Sequence, residues 1–106
     1  MSALNNIFEK IPENLNNELI EEILKTKNFR LERIISAGHH SPPDFWYDQD
    51  ENEFVFLVSG CARISFDDGR IVELKPGDYF VINAHQKHRV VSTDQNRKTF
   101  WLTLFY

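Results

Sequence analysis

Few side chains in this chain are equipped for chemistry, and they fall in short stretches. Histidines stand at His39, His40, His85 and His88, the one thiol is Cys61, and aromatic rings alternate with polar groups along Phe45-Trp46-Tyr47-Asp48-Gln49-Asp50-Glu51-Asn52-Glu53. In an unbulged strand residues two apart share a face, which would turn Tyr47, Gln49, Glu51 and Glu53 the same way. A β-bulge would instead turn Asp48 inward, and bulges are common beside active sites. Carboxylates beside an imidazole can form an acid–base pair or a satisfied hydrogen-bonded cluster. His39 and His40 are adjacent, so at most one of them can face the interior of a sheet structure. His85 and His88 lie three apart across a turn. A single cysteine excludes an intrachain disulfide and a cysteine-based zinc site. Cys61 follows Gly60 with no basic neighbour, and the expectation is a buried thiol acting as a small hydrophobe.

The elements that must hold these groups are mostly strands. Runs at 53–58, 61–66, 70–74, 79–82, 88–92 and 98–106 are separated by turn chemistry. Asp67-Asp68-Gly69 reads as a hairpin signal, and Lys75-Pro76-Gly77-Asp78 as a type II turn with Pro second and Gly third. Arg63 and Arg70 fall at solvated hairpin positions. A further half-buried strand begins at Phe29, with Phe29, Leu31 and Arg33 alternating with Arg30, Glu32 and Ile34. Pro42-Pro43 rules out a regular inner strand between Gly38 and Asp44. Ahead of this, Leu15, Leu19, Ile20, Ile23 and Leu24 follow a helical period, which predicts an amphipathic helix over 13–25 opened by Pro12. Short strands with one leading helix make an antiparallel sandwich or barrel. Residues 1–28 then form an N-terminal segment carrying the helix, and 29–106 the barrel.

Two strands are apolar on both faces. Phe54, Phe56 and Val58 oppose Val55 and Leu57, while Phe100, Leu102, Leu104 and Tyr106 oppose Trp101 and Phe105. A strand with one wet face would alternate, so both runs need a second cover. The helix can shield one face and a partner subunit the other, which predicts a homodimer; a second layer of the same chain is the competing cover. Trp101 reads as core or interface.

Length and composition bound the rest. One hundred and six residues suffice for one domain and one core, and 42% hydrophobic content predicts a folded chain. Net charge is −4 and the only Lys/Arg pair is Arg97-Lys98, which argues against a nucleic-acid footprint. Neither a signal peptide nor an apolar run of membrane-spanning length is visible, so the expectation is a soluble, cytoplasmic protein with no membrane partner.

The ordered motifs resemble those of the cupins, G-x5-H-x-H-x3,4-E-x6-G and G-x5-P-x-G-x2-H-x3-N. Glu53 is followed by six residues and Gly60, matching the end of the first motif; Gly77, five residues, Asn83, Ala84, His85, two residues and His88 match the spacing of the second. The segment from Phe45 to Glu53 also resembles a group of small stand-alone cupins. The likeness runs from about residue 29 to the end. It implies a mainly β protein, a cupin-type double-stranded β-helix (jelly-roll barrel), preceded here by one short N-terminal α-helix. The chain also departs from the motifs. Both first-motif histidine positions are replaced, by Tyr47 and Gln49 in one register or Trp46 and Asp48 in the other. In the second motif Asn83 stands for Pro, His85 for Gly and Ser92 for Asn.

Of the four residues that bind metal in the family, Glu53 and His88 survive. The resemblance therefore implies a divalent transition-metal site, Mn, Fe, Ni or Zn, held by Glu53, His88 and the Gln49 amide oxygen. Tyr47 then serves as a fourth ligand or a proton donor, and Tyr47 or Asp48 handles a proton in catalysis on a small polar metabolite. A different reading keeps the fold and drops the metal, with Glu53 and His88 hydrogen-bonding each other or a small ligand in a sensing module. A third is a structural dimeric barrel without catalysis. His39 and His40 are the other histidines that could join a site, His85 would line the mouth, and Phe45 and Trp46 would stack on a ligand there or pack under the loop.

Overall fold

Strand-forming residues set up the architecture, with apolar side chains alternating along each run and glycine placed where the chain must reverse. The computed structural model describes residues 3–106. Eight strands follow in order: β1 (Leu19–Lys25), β2 (Arg30–Ser36), β3 (Glu53–Ser59), β4 (Ala62–Phe66), β5 (Ile71–Leu74), β6 (Tyr79–Ile82), β7 (His88–Thr93) and β8 (Thr99–Phe105). They form a five-stranded sheet in the order β1-β2-β8-β3-β6 and a three-stranded sheet β5-β4-β7, with every pairing antiparallel. Among the described residues no helix is long and apolar enough to cross a membrane.

The core fills the space between the sheets. Val55, Leu57 and Trp101 from the larger sheet meet Ala62, Ile64, Phe66 and Leu74 from the smaller, with Ile82 beside them. Register explains the choice: Val55 pairs with Thr103 and Leu57 with Trp101, so these side chains share the inner face. Trp101 is thus core, and its indole N–H donates to Ser36 Oγ at 3.1 Å. At Gly77 the turn needs φ of 94°, and Asp78 N donates to Lys75 O at 3.0 Å, as the Pro-Gly order requires. At Gly60 φ is 90°, and an added Cβ would come within 2.6 Å of the Thr99 Cα. Only glycine lets β3 turn into β4 against β8.

Three expectations need correction. The helix over 13–25 does not form: residues 13–18 are irregular and 19–25 are the edge strand β1. The helical period in this stretch is real, but β2 would otherwise leave a long unpaired edge. Pairing Leu19 with Ile35, Ile20 with Ile34 and Glu21 with Arg33 satisfies it, and a shift between Glu22 and Leu24 accommodates the spare residue. The N-terminal segment, whose first two residues lie outside the described ones, therefore contributes a strand to the main sheet. Second, Cys61 is exposed. Ala62 and Ile64 point inward, so parity sends the positions beside them outward. Third, Glu51 does not join Tyr47, Gln49 and Glu53. Residues 50–51 bend before β3, and the Glu51 carboxylate meets Arg30 at 3.1 Å instead.

Arg33 ties the preceding chain down. Buried to 7% exposure, it engages the Glu21 carboxylate and donates to the backbone carbonyls of Ile7 (2.9 Å) and Glu9 (2.8 Å). Phe8 packs edge-on to Phe100, with ring centroids 5.1 Å apart. The strap so formed covers one end of the outer face of the larger sheet.

Candidate functional site

Between the sheets, beyond the apolar core, a cavity of about 170 Å³ opens toward solvent. The inner faces of β2, β3 and β8 place Glu32, Glu53, Thr103 and Phe105 along one wall. Chain entering from the Pro42-Pro43 loop brings Tyr47 and Gln49, and β7 brings His88. Of the five residues the sequence singles out, Tyr47, Gln49, Glu53 and His88 line this cavity.

Tyr47 and His88 are cross-strand partners. Tyr47 N donates to His88 O at 2.7 Å, His88 N donates to Tyr47 O at 3.2 Å, and the two rings stack with centroids 5.4 Å apart. His88 is 5% exposed, and its Nδ1 bonds the Gln86 carbonyl at 2.9 Å. A carbonyl can only accept, so Nδ1 carries the proton and the Nε2 lone pair is left free. Nε2 faces Glu53 Oε1 at 3.8 Å, beyond a direct hydrogen bond.

Burial sets the protonation of these groups. The Glu53 carboxyl is pushed up to about 7, first by desolvation and then by the Glu32 charge, with Arg30 opposing. Burial lowers the His88 imidazole, against the Gln86 hydrogen bond, and so favours its neutral form. Burial also raises the Tyr47 phenol, helped by the charges of Glu18 and Glu53, while Ser41 opposes. At neutral pH the centre therefore offers a protonated phenol, a neutral imidazole and a carboxyl near its midpoint.

Asp48 stands outside the cavity. It alternates with the inward Tyr47 and Gln49, so without a bulge it faces out, and its carboxylate meets His85 Nδ1 at 2.8 Å. Asp48 is not among the residues that line the cavity. His85 sits at φ 63°, a left-handed conformation that agrees with the glycine the family motif has at this position. His39 uses both ring nitrogens, on Ala37 N at 2.8 Å and Asn16 O at 3.0 Å, while His40 bonds Ser41 O. Neither lines the cavity. Phe45 and Trp46 are partly exposed, with Phe45 packed edge-on to Tyr47 at 4.8 Å.

Three polar cavity residues escaped the sequence reading: Glu18, Glu32 and Thr103. Glu32 had a signal, since it shares a strand face with Ile34 in β2. Glu18 had none, because it reaches the cavity through the Ser36 hydroxyl, which bonds its carboxylate. Thr103 Oγ1 is buried without a hydrogen-bond partner among the described residues.

As a metal centre the donor set is sparse. Among the described residues no group of three or more His, Cys, Asp or Glu side chains is placed to hold an ion. What fits is one carboxylate and one imidazole with a freed lone pair, joined by the neutral oxygen of Gln49, a set suited to a hard or borderline divalent cation.

Comparison with known proteins agrees with this architecture. L-ectoine synthase of Rhodococcus opacus (strain B4) is 38% identical over 60 residues, covering 56% of this chain and 43% of that protein. L-ectoine synthase of Saccharopolyspora erythraea is 32% identical over 81 residues, covering 63% and 59%. The chain thus spans about half the length of the curated relatives it matches. A protein of Ralstonia eutropha JMP134, described as a candidate mannose-6-phosphate isomerase, superposes with a TM-score of 0.93 at 37% identity over 98% of this chain and 97% of that one. A cupin superfamily protein of Desulfitobacterium hafniense DCB-2 shares the fold, with a TM-score of 0.73 at 18% identity, covering 90% and 82%. The Cupin domain model matches residues 32–105, nearly the whole of the barrel, and the chain belongs to the cupin family.

Proposed function

We propose that the barrel binds a divalent metal through Glu53, His88 and Gln49 and acts on a small polar metabolite in the cavity. The observation that carries this reading is the His88 ring, whose Nδ1 proton is committed to Gln86 O and whose Nε2 lone pair faces the Glu53 carboxylate. Ligating histidines are oriented in this way, by a hydrogen bond from the other ring nitrogen. When bound, a divalent ion supplies Lewis-acid polarisation of a ligand oxygen. Tyr47, stacked on His88, presents a phenol as proton donor, and the apolar walls from Val55, Ile64 and Ile82 limit water. The named relatives, L-ectoine synthases and a candidate sugar-phosphate isomerase, add support for chemistry on small molecules.

A second reading, a metal-free binding module, draws on the small number of strong donors. Metal content by mass spectrometry on untagged protein, with Glu53→Gln alongside, separates the two. Near one equivalent in the wild type and none in the variant supports the metal centre. No metal, even after reconstitution, overturns it and leaves the Glu53–His88 pair to bind a ligand directly.

We also propose that a second copy covers the outer face of the five-stranded sheet. Phe54, Phe56, Leu102 and Leu104 form its centre, with Tyr79 67% and Val81 45% exposed at its edge. The N-terminal strap packs on the Phe100 end through Phe8 and holds Arg33 beside it. The remaining patch is contiguous and apolar, and two copies related by a two-fold axis would cover each other's patch with the same residues.

A further inference from the structure

The charged groups that line the cavity bear on which ligands it takes. Glu18, Glu32 and Glu53 line it, and among the described residues no lysine or arginine does. Arg30, which is not among the lining residues, lies over the Phe105 ring and divides itself between Glu32 at 3.0 Å and Glu51 at 3.1 Å. Glu18 receives the Ser36 hydroxyl, whose oxygen in turn accepts the Trp101 indole N–H. That chain orients Glu18 and adds no positive charge.

An independent sign comes from Thr103. It is 1% exposed, lines the cavity, and its Oγ1 has no hydrogen-bond partner among the described residues. An unpartnered buried hydroxyl costs stability unless something fills the role. Thr103 pairs directly with Glu32 across β8 and β2, so the orphaned oxygen and a carboxylate stand side by side on the cavity wall. A primary ammonium has three N–H donors; the Glu32 carboxylate accepts, and the Thr103 hydroxyl has lone pairs that can accept as well. A phosphate would bring two negative charges to a lining that holds three glutamates and, among the described residues, no lysine or arginine, with Arg30 already shared between Glu32 and Glu51.

We propose that the cavity selects a small ligand bearing a positively charged amine, held by Glu32, Thr103 and Glu18, and rejects phosphorylated sugars. The inference rests on the cavity being a small-molecule site, but it needs no metal on Glu53 and His88. Size agrees: a cavity of about 170 Å³ has room for a guest of roughly benzene size, which a four-carbon amine matches.

The test is calorimetric titration of the full chain with four probes: butylammonium, 1-butanol, butyrate and mannose 6-phosphate. Each is run on chelator-treated and on Mn²⁺-supplemented protein. Butylammonium should bind about tenfold or more tighter than butyrate, and Glu32→Gln and Glu18→Gln should each reduce that preference about fivefold. Thr103→Val should raise the Tm of the free protein, by removing the unpaired hydroxyl, while weakening butylammonium about threefold. Equal or tighter binding of butyrate or mannose 6-phosphate to the chelator-treated protein overturns the proposal. So does a preference that survives both glutamine variants, or no binding of butylammonium up to about 20 mM, a ceiling corresponding to a free energy near −2 kcal/mol. Ammonium selection without metal uptake would leave this inference standing while the metal reading fails. Metal uptake without selection would do the reverse.

Discussion

His88 Nε2 and Glu53 Oε1 face each other at 3.8 Å inside the barrel, with the other nitrogen of His88 committed to the Gln86 carbonyl. The gap is too long for a direct hydrogen bond, and both groups present acceptor lone pairs when Glu53 is ionised. The pair therefore needs a proton or a cation between its members. With the Glu53 carboxyl at about 7, near-neutral pH makes the two compete.

Metal binding should accordingly release protons. In calorimetry with Mn²⁺ near pH 6.5, in buffers of different ionisation heat, the expected release is between about half and one proton per ion. Glu53→Gln and His88→Ala should each abolish the stoichiometry, and His40→Ala should leave it intact. Equal loss from His40→Ala would move the loop histidines into the site and refute the ligand set.

Stability should depend on pH through the same carboxyl. Its folded value is raised, so it favours the folded state fully below the unfolded value near 4.5, and that contribution is lost as pH rises through about 7. Glu53→Gln, which cannot ionise, escapes the loss. In urea unfolding of chelator-treated protein, the variant should gain on the wild type by about 2–3 kcal/mol between pH 4.5 and pH 8. His88, lowered by burial, acts at the acid end: its contribution is present above its unfolded value and disappears as pH falls. A pH-independent difference between wild type and Glu53→Gln would contradict the burial of this carboxyl.

Arg33 is expected to hold the N-terminal strap. Arg33→Ala strips donors from the Ile7 and Glu9 carbonyls and leaves Glu21, itself 42% exposed, without its partner. The cost should be about 2–3 kcal/mol, below the range for fully buried pairs because Glu21 can be rehydrated. Limited proteolysis should then cut within residues 3–18 about tenfold faster, since local opening becomes easier. Unchanged cleavage would show that Phe8 against Phe100 suffices.

The dimer is tested at the sheet edge, where substitution spares the core. Val81→Lys places a charge on the exposed outer face, so the fold should survive while light scattering shifts from about 25 kDa toward the 12.5 kDa monomer. A wild type that is monomeric at micromolar concentration would remove the proposal.

Much of the barrel was legible along the chain. Alternation in β3 and β8 and the Asp-Asp-Gly and Lys-Pro-Gly-Asp turns are local properties, because side-chain period and turn geometry follow from neighbouring residues; the strict parity from Tyr47 to Glu53 breaks at Glu51, where the chain bends. The motif spacing around Gly60, Gly77 and His88 carried the family. What the tertiary structure decided is non-local. Leu19–Lys25 satisfies a helical and an extended pattern alike, and the free edge of β2 selects the strand. Asp48 turns to His85 thirty-seven residues away, Glu18 reaches the cavity by way of Ser36, and Glu32 stands beside Thr103 only once β2 and β8 pair. These contacts depend on which strands become neighbours, a choice made by burying one common core, and no local period encodes it.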